Sequence, residues 1–482
     1  MRSSNDSIWK DMDWSLLTIY GILLLFGWLN IYAAIFDVDN PTGIFDMGTK
    51  SGKQFLWISV SVVTIVLILL LDFKFLFSIP YVAFVGAAIL LVLVAFFGAE
   101  IKGARSWFRF GGFSIQPSEF AKVAACLAVA KYMGDKGSQF RYGLNMDTVI
   151  LFAIVFFMPA LIMLQPDAGS AMVYSSFIIM MCIDGLTFAI PVLGIIAASL
   201  FVMTNLYFEE EVELLLIALA VLGSLFTLFY KKLDLKIRPL VAVPMVLITF
   251  SIPIGLFWYD PSYNLIALGI YMIIIVLSLV NALLRKSYVN LNLLVAIISL
   301  VSVVVIGSNA AFEKLATHQQ NRMRVLKDPY IDPKGKGWNI IQSSIAISSG
   351  GITGKGFKEG TITKGNWVPE QHTDFIFCTI AEERGFIGTT VVILLFVTLI
   401  IRLGILSQRQ KSRFTQVYGY SVMGIIFFHF LINIGMVIGL LPVIGIPLPF
   451  FSYGGSSLWS FSILIAIMVK LDMHRAQILA RN

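Results

Sequence analysis

The chain has 482 residues, 58% of them hydrophobic and 13% charged, with 35 Lys and Arg against 28 Asp and Glu and a mean hydropathy of +0.86. Soluble domains average nearer half apolar and a quarter charged. The composition therefore excludes a soluble globular enzyme and leaves a polytopic membrane protein.

The polar start, "MRSSNDSIWKDMDW", precedes an apolar run too long for a signal-peptide core, so a retained first crossing is expected. Apolar runs predict crossings over 14–36, 54–71, 77–98, 118–133, 147–164, 168–183, 186–204, 212–230, 239–258, 263–284, 288–307, 386–402, 415–440 and 449–470. That is about fourteen helices, most near the roughly 20 residues a bilayer core requires. With the N-terminus cytoplasmic, nineteen Lys and Arg fall at inner ends and loops. Only Lys50, Lys53, Lys102, Arg105 and Arg109 fall in short outer loops, as the positive-inside rule demands. The acidic "EEEVE" at 209–213 then lies outside.

Residues 308–373 form the one large outer loop, with nine Lys and Arg against five Asp and Glu. Its basic excess fits either attraction of a polyanion such as a phosphate or an ordinary solvated loop. Four regions follow: 1–184 with the first two polar motifs, 185–307, the loop 308–373, and 374–482 with the last two motifs.

The first motif is "GARSWFRFGGFSIQPSEFAK", 103–122. Pro117 and Ser118 open a helix that carries Glu119 and Lys122 on one face. Two readings stand: a mutually neutralising pair, or Lys122 on a phosphate with Glu119 holding it. Arg105, Trp107 and Arg109 read as interface anchors or headgroup contacts. "QPDAGSA", 165–171, puts Asp167 at a helix junction. "SSGGITGKG", 348–356, fails the nucleotide-loop pattern because Ser349 and Gly356 stand where Gly and Ser/Thr are required.

"GNWVPEQHTDFIF", 365–377, places Glu370, His372 and Asp374 at the mouth of an apolar run. The bland reading is a helix start, with Thr373 as cap and Asp374 favouring the dipole. The run 386–402 suffices to cross by itself, so "HTDFIFCTIAEER" reads as a helical extension, with Glu382, Glu383 and Arg384 as a local ion-pair set. "GIPLPFFSYGGSS", 445–457, cannot form a clean helix. Such a break is tolerated only where it is buried in protein or lines a cavity, and its N–H groups either mark a simple kink or hold an anion. His429 reads as a hydrogen-bonded packing residue. Cys126, Cys182 and Cys378 have no metal or redox spacing and read as small buried residues.

Together, and in this order, "GARSWFRFGGFSIQPSEFAK", "QPDAGSA", "GWNIIQSSIAISSGGITGKGFKEG" through "WVPEQHTDFIF", and "GLLPVIGIPLPFFSYGGSS" resemble the SEDS (shape, elongation, division, sporulation) glycosyltransferases. "GKGFKEGT" and "GIPLPF" are closer to the RodA-like elongation branch than to the FtsW-like one. The resemblance covers roughly 1–184 and 308–482. It implies an all-α polytopic SEDS-type bundle in which a family core of ten crossings gains about four more within 186–307. "WVPE" stands where the family commonly shows "FLPE", and Ala168 where a leucine is usual.

The resemblance implies polymerisation of lipid II. The 4-hydroxyl of one N-acetylglucosamine attacks C1 of another chain's N-acetylmuramic acid with inversion, releasing undecaprenyl pyrophosphate. Asp374 matches the family's general base. Arg105, Trp107, Lys122 and loop basics are then expected near the diphosphate, where a divalent cation, Mg2+ or Mn2+, bridges oxygens. Glu119 and Asp167 shape the cavity, and Glu370, His372 and Thr373 orient Asp374 or the sugar. Ser452, Gly454, Gly455 and Ser456 line the broken segment. Neither an organic cofactor nor a protein-held metal is expected.

Implied partners are lipid II, a class B penicillin-binding transpeptidase, elongasome membrane proteins and membrane lipids, with no nucleic acid. The implied location is the bacterial cytoplasmic membrane, both termini inside and the large loop outside. A lipid II flippase, or an O-antigen-ligase-like transferase, is the alternative.

Overall fold

The computed structural model describes residues 12–187 and 312–477, apart from 38, 102, 112, 144, 313, 316, 333, 334, 366 and 476, together with 191, 194, 195 and 198. The crossings expected over 212–230, 239–258, 263–284 and 288–307 lie outside the described residues, and that over 186–204 lies mostly outside them. The chain divides into two compact units, Met1–Thr187 with Asp332–Asn482, and Phe188–Ile331. In the second, the helix Thr317–Lys327 carries Arg324 with its guanidinium 5.5 Å from the Phe312 ring.

Among the described residues, nine longer helices build the first unit: α1 (Trp14–Ile35), α2 (Lys50–Leu70), α3 (Pro80–Phe97), α4 (Pro117–Lys136), α5 (Met146–Met163), α6 (Lys336–Ser349), α7 (Ile376–Gln408), α8 (Arg413–Val437) and α9 (Gly455–Met473). Their starts are written in the sequence. Asp13, Thr49 and Asn145 accept hydrogen bonds from backbone amides of the first turns of α1, α2 and α5, and Pro80 and Pro117 occupy first-turn positions where no amide is needed. Among the described residues, α1, α2, α3, α5, α7, α8 and α9 are long and apolar enough to cross a bilayer. The protein is thus a multi-pass membrane protein.

Helix α4 is different. Its mixture of Ala, Ser, Glu and Lys is buried almost all round, and it packs against α3, α5, α8 and α9 at the centre of the unit. Small residues permit such close approach where lipid gives no hydrophobic drive between helices. A methyl group on Gly424 of α8 would collide with the Ser176 carbonyl.

Three elements depart from the expected helical outline. A three-stranded antiparallel sheet, β1 (Ala99–Ile101), β2 (Ala104–Phe110) and β3 (Phe113–Ile115), precedes α4. The large loop contains α6 and the short helix Thr361–Lys364. The third departure is in α7, which is broken at Gly385 (φ +61°, ψ −159°), so the extension before the break and the crossing after it are separate helices.

The backbone groups freed at that break are met by the segment 351–356. Phe386 N donates to Gly351 O at 2.9 Å and Ile387 N to Ile352 O at 3.1 Å, while Lys355 N and Gly356 N donate to Glu382 O and Glu383 O at 3.0 Å. A Cβ on Gly385 would strike Gly354 N and Ile352 O. The glycine-rich stretch that mimics a nucleotide loop is there for close backbone approach.

At one end of the unit, ion pairs join the start of α1 to the ends of α7 and α9. Arg402 of α7 and Arg409 just after it reach Asp13, and Arg409 also pairs with Asp472 of α9.

Candidate active site

The opposite ends of these helices bring the polar motifs together. Gln116, just before α4, is the knot. Its Nε2 donates to Asp167 Oδ2 at 3.0 Å, and its backbone N donates to Ser456 Oγ at 3.1 Å. Asp167 in turn caps the short helix Ala168–Met172, accepting from Ser170 N at 3.1 Å and Ser170 Oγ at 2.8 Å. Three motifs separated by up to 340 residues thus share one hydrogen-bonded node.

The "WVPEQHTDF" segment meets the same region as a tight turn rather than a helix start. Glu370 has φ +54°, and its carbonyl accepts from Thr373 N at 3.0 Å and Phe375 N at 3.3 Å. Helix α7 begins only at Ile376, with Phe375 as its N-cap. The reading of Thr373 as a cap is therefore corrected: its Oγ1 donates back to Glu370 O and Oε2 at 3.2 Å. His372 lies 2.7 Å by Nε2 from Lys50 Nζ at the head of α2, and its carbonyl accepts from Tyr453 N at 2.8 Å.

Asp374 is half-buried. A methyl group placed on Gly445, where φ is +86°, would stand 3.2 Å from Asp374 Oδ2, so the carboxylate lies against the broken segment before α9. Asn433 of α8 holds both sides, its Nδ2 donating to Asp374 O and Ile446 O, each at 2.8 Å.

Within the broken segment, Ser452 Oγ accepts from Leu448 N at 2.9 Å. Gly454 N donates to Gln54 Oε1 at 3.3 Å, and Gly455 opens α9 against the Trp57 ring. The amides of Tyr453 and Gly454 thus already have protein acceptors, which fits a packed break better than an anion cradle.

Glu119 and Lys122 are buried in a network of their own. Lys122 is 2% exposed; its Nζ lies 2.8 Å from Glu119 Oε2 and 3.1 Å from His429 Nε2. Ser460 Oγ donates to Glu119 Oε2 at 3.1 Å, and His429 Nδ1 lies 3.1 Å from Pro447 O. His429 is thus a hydrogen-bonded packing residue, and the neutralising pair is the arrangement present. Arg105 is exposed on β2, paired at 3.4 Å with Glu100 across the hairpin; Trp107 is half-buried beside it. Such an exposed pair contributes little to stability.

Glu382 is buried and organises the loop. Its carboxylate accepts from Thr361 N, Ile362 N and Thr363 N at 2.8, 2.9 and 2.9 Å and pairs with Lys355 at 2.8 Å. The ion-pair set expected around it is corrected in its members. Arg384 stacks on Phe357 instead, and Glu383 is buried beside the Lys358 backbone amide. The three cysteines are free and buried. Among the described residues no three His, Cys, Asp or Glu side chains cluster as a resident metal requires.

The chain matches the FtsW/RodA/SpoVE cell cycle protein family over residues 13–220 and 213–477. The chain belongs to the FtsW/RodA/SpoVE family. Among similar proteins of this family, the peptidoglycan glycosyltransferase RodA of Treponema pallidum is 29% identical over 97% of this chain and 98% of its own. The peptidoglycan glycosyltransferase MrdB of Escherichia coli K12 is 30% identical over 82% and 78%. Two solved structures share the fold. One, from a peptidoglycan synthase complex, has a TM-score of 0.59 at 22% identity, covering 97% of this chain and 99% of that one. The other, Thermus thermophilus RodA, has a TM-score of 0.54 at 20% identity, covering 96% and 97%.

Asn433, Gly445, Gln116, Gln54 and Lys50 were not singled out by sequence. Only Asn433, a lone amide within the apolar "FLINIGMV", carried a usable signal.

Proposed function

We propose that this protein is a peptidoglycan glycosyltransferase of the elongation type, polymerising lipid II into β-1,4-linked glycan strands. The observation that carries the reading is the meeting of Asp374 with the broken segment at Gly445, beside the node that joins Gln116, Asp167 and Ser456. Asp374 is the general base. As the acceptor 4-hydroxyl oxygen bonds to C1 of the donor N-acetylmuramic acid, its proton passes to the Asp374 carboxylate. The C1–O bond to the diphosphate breaks, and its electron pair leaves with undecaprenyl pyrophosphate. One carboxylate suffices because the leaving group is already a stable anion, unlike the paired carboxylates of glycoside hydrolysis.

Exposed Arg105 and Arg109 on β2 and Lys50 at the head of α2 are the cations suited to the diphosphate. A divalent cation travelling with that diphosphate belongs to the substrate. Glu370, His372 and Thr373 orient the Asp374 turn, and Glu119 with Lys122 supports the floor beneath it. In this reading the end bearing Arg402, Arg409 and Asp472 faces the cytoplasm, as the positive-inside rule directs, and the large loop lies outside. The synthase-complex fold match supports a transpeptidase of the penicillin-binding class as partner.

Purified protein supplied with lipid II in detergent tests this. Glycan strands formed by wild type and absent with Asp374→Asn are expected. Strands formed at the wild-type rate by Asp374→Asn would remove the base, and transbilayer movement of lipid II without strands would point to a flippase.

A further inference from the structure

We propose that Asn433 is the positioning residue that sets the Asp374 backbone against the 445–447 segment; this rests on Asp374 being the base. Asn433 sits in the apolar interior of α8 and is 0% exposed. Its amide nitrogen donates to two carbonyl oxygens, Asp374 O and Ile446 O, each at 2.8 Å. Only an NH2 group can donate to both at once, so the amide orientation is fixed by its partners.

The two carbonyls belong to segments that have no regular ladder of their own. Asp374 precedes the first helical residue of α7. Residues 445–447 contain a left-handed glycine, at φ +86°, and a proline without an amide. One turn earlier on the same face of α8, His429 Nδ1 lies 3.1 Å from Pro447 O. Helix α8 therefore grips consecutive carbonyls of the broken segment, and Asn433 alone of the two also grips Asp374. Aspartate at 433 would set a negative oxygen against two carbonyl oxygens, alanine would offer nothing, and serine a single donor.

Removing the amide takes this shared donor away from both carbonyls, and the Asp374 turn relaxes away from Gly445. A displacement of about 1 Å at a reacting group costs on the order of 100-fold in rate. Substrate binding by the cations Arg105, Arg109 and Lys50 is left intact, so the loss belongs in kcat rather than KM.

The test compares lipid II polymerisation by wild type, Asn433→Ala, Asn433→Ser and Asp374→Asn, and adds Asn433→Ala in an Asp374→Glu background. Asn433→Ala is expected to lower kcat by about 10- to 100-fold with KM within about twofold. Asn433→Ser, with one donor retained, should fall between it and wild type. It also serves as the measured variant where the alanine protein does not fold. In the Asp374→Glu background, where the carboxylate already sits on a longer arm, the same alanine change should cost much less. Wild-type kcat in both Asn433 variants, a raised KM with unchanged kcat, or independent multiplication in the double variant overturns the proposal. Inactive Asp374→Asn beside a fully active Asn433→Ala removes the positioning role alone, whereas active Asp374→Asn removes the base beneath it.

Discussion

Glu119 and Lys122 lie 2.8 Å apart on one face of α4, and both are withdrawn from solvent. Two buried charges in contact neutralise each other, but removing one strands the other at a cost of about 3–5 kcal/mol. Lys122→Met is therefore expected to lower the unfolding temperature in detergent sharply, and the double variant with Glu119→Gln to recover much of the loss. An unchanged melting curve together with weakened lipid II binding would return Lys122 to the diphosphate.

Gly445 faces Asp374 so closely that any side chain intrudes on the carboxylate. A Cβ there would approach Oδ2 to 3.2 Å in a backbone conformation with φ +86° that L side chains rarely adopt. Gly445→Ala should reduce turnover by about 10- to 100-fold while the protein still purifies as a folded species. Retention of full rate would place the carboxylate elsewhere during the reaction.

Glu382 terminates three backbone amides and one lysine in a buried position. Its loss leaves the three amides unpaired at roughly 1–3 kcal/mol each before the loop rearranges, while Lys355 keeps Thr361 Oγ1. Glu382→Ala is expected to raise amide hydrogen exchange over 355–364 far more than in α8 or α9. Uniform exchange across the protein would contradict this local role.

Asp13 links α1 to α7. Burial by itself would raise its pKa, but hydrogen bonds from Arg402 and Leu16 N, with the charges of Arg402 and Arg409, hold the carboxyl below its usual 3.8. A pKa lower in the folded than in the unfolded state means stability fully present above the unfolded value. That stability is lost as pH falls through the folded value. Melting temperature should therefore drop between neutral pH and pH of about 3, and Asp13→Asn should flatten part of that slope. Parallel slopes in both proteins would dismiss the linkage.

Much of this arrangement is legible in residues alone. Polar caps and prolines mark where α1, α4 and α5 begin, and apolar runs mark α2, α3, α8 and α9, because a bilayer imposes length and composition on every crossing. The scarcity of charge in such a chain also made Asp374, Glu119 and Lys122 conspicuous. The sheet was missed because its alternating "ARSWFRF" is short and interfacial, although the Gly111–Gly112 pair is a hairpin signal. The boundary at Gly385 is legible where the charged "EER" gives way to the apolar run from 386, but the sharp change of backbone direction there leaves no mark on hydropathy. Asn433 and Gln116 act through partners tens to hundreds of residues away, and such pairings exist only once the helices have packed.

The cross-bonding between 351–356 and the Gly385 break inverts the usual expectation for a glycine-rich surface stretch. Its composition advertises a spacer that would accept an epitope tag or a protease site. Instead it is a splice holding a severed helix together, and lengthening it by even a few residues would leave four main-chain groups orphaned beside the segment that carries Asp374.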